Sequence, residues 1–137
     1  MPSDEARVLA ANRAFYTAFC KRDLPAMQAL WSKSAAVSCV HPGWSALHGR
    51  EDVLASWEAI LGHPDSPTVE CLNENATVMG EAAVVTCEET IGDGALVATN
   101  VFVREEGSWK LAHHHSSGVA DDDDDDEEHE PDPKMLN

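Results

Sequence analysis

From residue 68 onward the chain reads as four extended segments, 68–79, 82–91, 95–104 and 108–117, separated by Gly80-Glu81, Gly92-Asp93-Gly94 and Glu105-Glu106-Gly107. Connections this short reverse the chain at once, so consecutive segments must pair antiparallel as a meander. Such a sheet has an apolar face that needs cover, and the residues able to cover it lie upstream. Residues 4–22 read as a helix: Ser3 can cap it, Asp4 and Glu5 suit its positive end, and Val8, Asn12, Phe15, Tyr16 and Phe19 share one side. Asp23 and Pro25 open a short second helix with Leu24, Met27, Leu30 and Trp31 on its inner side. Residues 35–41 alternate as a strand, broken by Pro42-Gly43-Trp44. A third helix is predicted from Gly49 to Leu61, with Val53, Leu54, Trp57, Ile60 and Leu61 as its stripe. Helices grouped ahead of strands predict an α+β fold, a curved antiparallel sheet wrapped around three N-terminal helices over residues 1–119.

Charge separates the end of the chain from the rest. The formal net charge is −16, and ten of the 25 acidic residues lie in 121–137, six of them as the run Asp121 to Asp126. Residues 120–137 hold too little apolar surface to offset the entropy of ordering, so a disordered acidic tail is expected there. The remainder is mildly acidic and shows no basic patch, which argues against nucleic acid and anionic membranes as partners. The four cysteines, Cys20, Cys39, Cys71 and Cys87, have neither paired nor zinc-like spacing and read as reduced, buried apolar residues. With no apolar run of about 20 residues and no secretory pattern at the start, a cytoplasmic location is the expectation.

Val40-His41-Pro42-Gly43-Trp44, Leu47-His48-Gly49-Arg50, Ser56-Trp57 and Thr99–Arg104 followed by Gly107–Leu111 resemble the SnoaL-like, nuclear-transport-factor-two-like superfamily. His113–Gly118 and the Met79-Gly80-Glu81 turn are similar to the association (hub) domain of calcium/calmodulin-dependent protein kinases. The resemblance implies a cone whose sheet is concave toward a mainly apolar pocket and whose convex face makes a homodimer. It leaves two functions open. One is a domain that binds a small apolar molecule and performs isomerase-, dehydratase- or cyclase-type acid–base chemistry. The other is a non-catalytic dimerisation or adaptor module.

By the same resemblance Asn100 and Ser116 take the places of two cavity-lining hub arginines, and His41 falls near the carboxylate base of steroid-isomerase-like relatives. Strand alternation then puts His114 with Asn100 and Ser116 in the pocket, and puts Trp109, Leu111, His113 and His115 on the convex face with Val97, Val101 and Val103. One β-bulge would swap that parity. The candidate catalytic residues are His41, His114 and Asn100, because imidazole titrates near neutrality and an amide can donate to a developing oxyanion. Tyr16, Trp31, Trp44, Trp57 and Ser116 are candidate ligand contacts. His113 and His115 could share a metal, but a third ligand is not evident, so no metal and no cofactor are expected.

Overall fold

The computed structural model describes residues 3–119. The first helix, α1 (Asp4–Lys21), starts where the Ser3 hydroxyl accepts from the Ala6 amide at 3.1 Å. It ends at Arg22, whose left-handed backbone (φ 55°) turns its amide back to the Phe19 carbonyl. The Arg22 guanidinium then donates to the carbonyls of Leu61 and His63 at 2.8 Å, tying this end to the end of the third helix. The short α2 (Leu24–Leu30) is capped by Asp23 and carries Pro25 in its first turn. β1 (Ser38–Val40), β2 (Leu47–His48) and α3 (Arg50–Gly62) follow, then β3 (Glu70–Met79), β4 (Ala82–Ile91), β5 (Gly94–Glu105) and β6 (Ser108–Gly118). The predicted α+β order, three helices ahead of a four-strand meander, is therefore what the chain forms.

The strands make one curved, open sheet in the order β2-β1-β6-β5-β4-β3. The sheet is mixed: β1 lies parallel to β6, with Cys39 opposite His114, while the other pairings are antiparallel. The sequence alone predicts an all-antiparallel sheet, and the structure corrects this. The long route through β2 and α3 to the meander makes the parallel contact possible, because a parallel pair needs a crossover. β2 leaves no mark in the sequence, since two residues carry no periodicity.

The inner face of the sheet and the helix stripes form the core around Phe15, Trp57, Trp31, Phe102 and Leu111, all essentially inaccessible. Trp109 and Leu111 belong to that core, which corrects their expected place on the convex face. The cause is a β-bulge: Phe102 pairs with Leu111 but Val101 pairs with His113, so Ala112 is an extra residue. Before the bulge the odd-numbered residues of β6 point inward; after it His114 and Ser116 do. His113 is half-buried and His115 exposed on the convex side, with Val97 and the half-buried Val101 and Val103. A second irregularity between Leu72 and Asn75, with Asn73 at φ 58°, interrupts β3. The expected acidic tail lies outside the described residues.

Candidate functional site

Where the helices cover the concave face, helices and sheet both contribute polar side chains among apolar ones. Asn12, His41, Ser56, Glu89, Asn100, His114 and Ser116 are all at most 7% exposed. Groups this deeply buried must bond to one another. The Ser116 hydroxyl donates to Glu89 Oε1 at 2.5 Å and the Tyr16 hydroxyl to Glu89 Oε2 at 2.6 Å. The Asn100 amide donates to Asn12 Oδ1 at 2.8 Å and to the Tyr16 oxygen at 3.2 Å. Asn12 in turn donates to Glu74 Oε2 at 2.7 Å.

The direction of this chain is fixed by its ends. Glu74 and Glu89 accept here, so Asn12 must turn its NH2 to Glu74, and Tyr16 must give its only proton to Glu89. Asn100 therefore faces both with its NH2 and turns Oδ1 toward His114 Nδ1, 2.5 Å away. Asn100 and His114 are direct cross-strand partners, which brings them within this distance. The His114 proton must sit on Nδ1, which leaves Nε2 with a bare lone pair. Burial lowers the His114 pKa to about 3, with the neighbouring His41 adding to the effect, so the ring is neutral near pH 7. Burial, with the Glu89 charge beside it, pushes the Tyr16 phenol far above its ordinary value and keeps it a donor.

His41 follows β1. Its Nε2 lies 2.9 Å from Ser56 Oγ, and that hydroxyl is committed as donor to the Val53 carbonyl at 2.6 Å. Ser56 can only accept from His41, so His41 carries its proton on Nε2. Burial lowers its pKa to about 4. The ring is held between Trp57 (centroids 4.9 Å apart) and Trp44 (4.7 Å).

These groups meet at a cleft of about 170 Å3. His41, Glu89, His114 and Ser116 are the polar side chains of its lining, and Phe19, Trp44, Ile60 and Leu96 contribute apolar wall. The candidates divide accordingly. His41, His114, Ser116 and Trp44 line the cleft, and Asn100 lies directly behind His114. Tyr16 stands behind Glu89. Trp57 is wholly buried behind both histidines (5.9 Å from His114), and Trp31 sits in the core beside Leu111, away from the cleft. Glu89 was not among the candidates. Its signal is present in the sequence: Ala83, Val85, Cys87 and Glu89 alternate along β4, so one carboxylate ends an otherwise apolar inner row. Among the described residues no group of three or more His, Cys, Asp or Glu side chains is placed to hold a metal ion, and no helix is long and apolar enough to cross a membrane.

Known proteins share this architecture. A candidate dehydratase of the NTF2-like family from Streptomyces avermitilis is 35% identical, superposes with a TM-score of 0.79, and is matched over 86% of this chain and 97% of its own. A candidate calcium/calmodulin-dependent protein kinase type II association domain from Thiobacillus denitrificans is 33% identical, with a TM-score of 0.67 over 82% of this chain and 94% of its own. The F-box protein SKIP8 of Arabidopsis thaliana is 28% identical over 108 residues, which are 77% of this chain and 47% of that protein, so the chain spans about half the length of this curated relative. The SnoaL-like domain pattern matches residues 8–122, and with the helix-covered curved sheet beneath that match, the chain belongs to the SnoaL-like family.

Proposed function

We propose that the chain binds a small, mainly apolar molecule in the cleft and acts on it by proton transfer, as a dehydratase- or isomerase-type enzyme. The observation that carries this reading is the pair of groups the cleft holds: a neutral imidazole with an unshared Nε2 lone pair, His114, and a buried carboxylate, Glu89. A general base needs an available lone pair aimed at substrate and a fixed tautomer. Asn100 supplies the second requirement, so its role is to position His114 and not to donate to an oxyanion. In a water elimination His114 Nε2 takes a proton from carbon, the C=C bond forms as the C–O bond breaks, and the same proton passes to the departing oxygen as water. A weakly basic imidazole is a slow proton acceptor, but its conjugate acid returns the proton readily. The likeness to the candidate dehydratase from Streptomyces supports this class of reaction.

The test is a set of small β-hydroxy ketones followed by the absorbance of the enone product. Turnover is expected, and His114→Gln should lower kcat by about 10²–10⁴-fold. Binding of these compounds without turnover, or a His114→Gln protein as fast as the parent, would end the catalytic reading.

A second reading, assembly through the convex face, is favoured by Val97, which is 45% exposed beside the half-buried Val101 and Val103, and by the likeness to the Thiobacillus association domain. Light scattering should then report a homodimer at micromolar concentration, and Val101→Asp should dissociate it. A monomer at high micromolar concentration removes this reading.

A further inference from the structure

Among the described side chains, the donors on the floor of the cleft are spent. Ser116 and Tyr16 give their protons to Glu89, His114 Nδ1–H is held by Asn100, His41 Nε2–H by Ser56, and Ser56 by a backbone carbonyl. What the floor offers a ligand is acceptors, the His114 Nε2 lone pair and the remaining lone pairs of Glu89. Among the described side chains lining the cleft, only the Trp44 indole N–H, at the rim, is an uncommitted donor. A ligand group seated on this floor must therefore bring its own hydrogen.

A second hollow adjoins the first. An apolar groove of about 310 Å3 runs between the C-terminal part of α3 and the 63–67 loop, along Ala59, Ile60 and Pro67. Trp44, Ile60 and Pro67 line both hollows, so they are two parts of one depression divided by the Trp44 ring. That ring is 46% exposed, yet it is held in place by its contact with His41 and by its amide, which donates to the His41 carbonyl at 2.9 Å. Among the described residues no lysine or arginine lines either part, while Glu89 and Asp65 do. An anion here would lie beside a carboxylate with no cation among the described residues to pair with it, so its desolvation would go largely uncompensated.

We propose that cleft and groove together take an uncharged, hydroxyl-bearing amphiphile: its hydroxyl donates to His114 and Glu89, and its apolar extension passes Trp44 into the groove along Ala59, Ile60 and Pro67. This rests on the ligand-binding reading above and adds the chemical class of the ligand. The cleft is close in size to the roughly 150 Å3 cavity that accepts benzene, so one ring fills it and anything longer must extend into the groove.

The probes are 4-n-alkylphenols, with the matching 4-alkylanisoles and 4-alkylbenzoates, titrated by calorimetry into the full chain. Phenol binds the cleft, and affinity rises up to about fourfold per added methylene as the groove fills. 4-Butylanisole, which has the same shape without the hydroxyl hydrogen, binds at least tenfold more weakly than 4-butylphenol. 4-Butylbenzoate does not bind. Ala59→Trp, at an exposed helix position, fills the groove and removes the chain-length dependence while leaving phenol binding intact; Trp44→Ala weakens it. The proposal is overturned if the anisole or the benzoate binds as well as the phenol, or if chain length has no effect. If the phenols bind and His114→Gln weakens them but chain length does not matter, the groove assignment fails and the cleft reading survives. If no phenol binds, the reading beneath it fails too.

Discussion

Taking the protein from pH 7 to pH 4 should remove several kcal/mol of folding stability. His41 and His114 are neutral in the fold because burial lowers their pKa values from 6.5 to about 4 and about 3. In the unfolded chain both protonate near 6.5. Above that pH neither state binds the protons. Between 6.5 and the folded values the unfolded chain binds protons that the fold refuses, so stability falls as the pH falls. The loss at pH 4 is on the order of 3 kcal/mol for each histidine, against a total of about 5–15 kcal/mol for an ordinary domain. Urea melts at a series of pH values should show the descent starting close to 6.5. The double variant His41→Gln/His114→Gln should lose most of it. The carboxylate of Glu105, held down to about 2 chiefly by the Ser32 hydroxyl and the Lys33 amide, is lost only at lower pH. A stability level from pH 7 to pH 5 would mean that the two rings are not shut away from water as described.

Trp57→Ala is expected to be the most damaging single substitution. The ring is fully buried, packed edge-on against Phe15 and Phe19 at 5.4 and 5.1 Å, and it backs both histidines. Its removal leaves a large void in a close-packed interior, which costs about 3–5 kcal/mol. For a domain of this size that is a fall in Tm of roughly 10–25 °C. The two predictions are linked. Water entering the void would solvate His41 and His114, raise their pKa values toward 6.5 and flatten the acid descent, whereas Trp57→Phe should keep the descent at a smaller stability cost. A Trp57→Ala protein with parental Tm would place the ring at the surface instead.

Much of this was legible from the residues. The turns at Gly80-Glu81, Gly92-Asp93-Gly94 and Glu105-Glu106-Gly107 set the meander, and the Val8-Asn12-Phe15-Tyr16-Phe19 stripe set the helix that crosses it. The inward placement of Asn100, His114 and Ser116 was also readable, although it came from a resemblance and not from alternation alone. Alternation failed at Trp109 and Leu111 because the bulge at Ala112 depends on how β6 must bend around the core, and no local pattern encodes that. Trp31 and Trp57 pass for ligand contacts in the sequence because a tryptophan suits a binding wall and a core equally well; only packing separates the two. Glu89 is hidden in the sequence for a different reason. Carboxylates in strands usually face water, and a single acid on the inner row becomes meaningful only when Tyr16 and Ser116, from other elements, are seen to converge on it.

The open sheet ends at β2, two residues long, and at β3, which is broken between Leu72 and Asn75. Neither margin offers an incoming chain a continuous ladder of free amides and carbonyls. Copies of this domain are thus discouraged from joining edge to edge by strand addition, which leaves the broad outer face of the sheet as the ground on which two copies can meet.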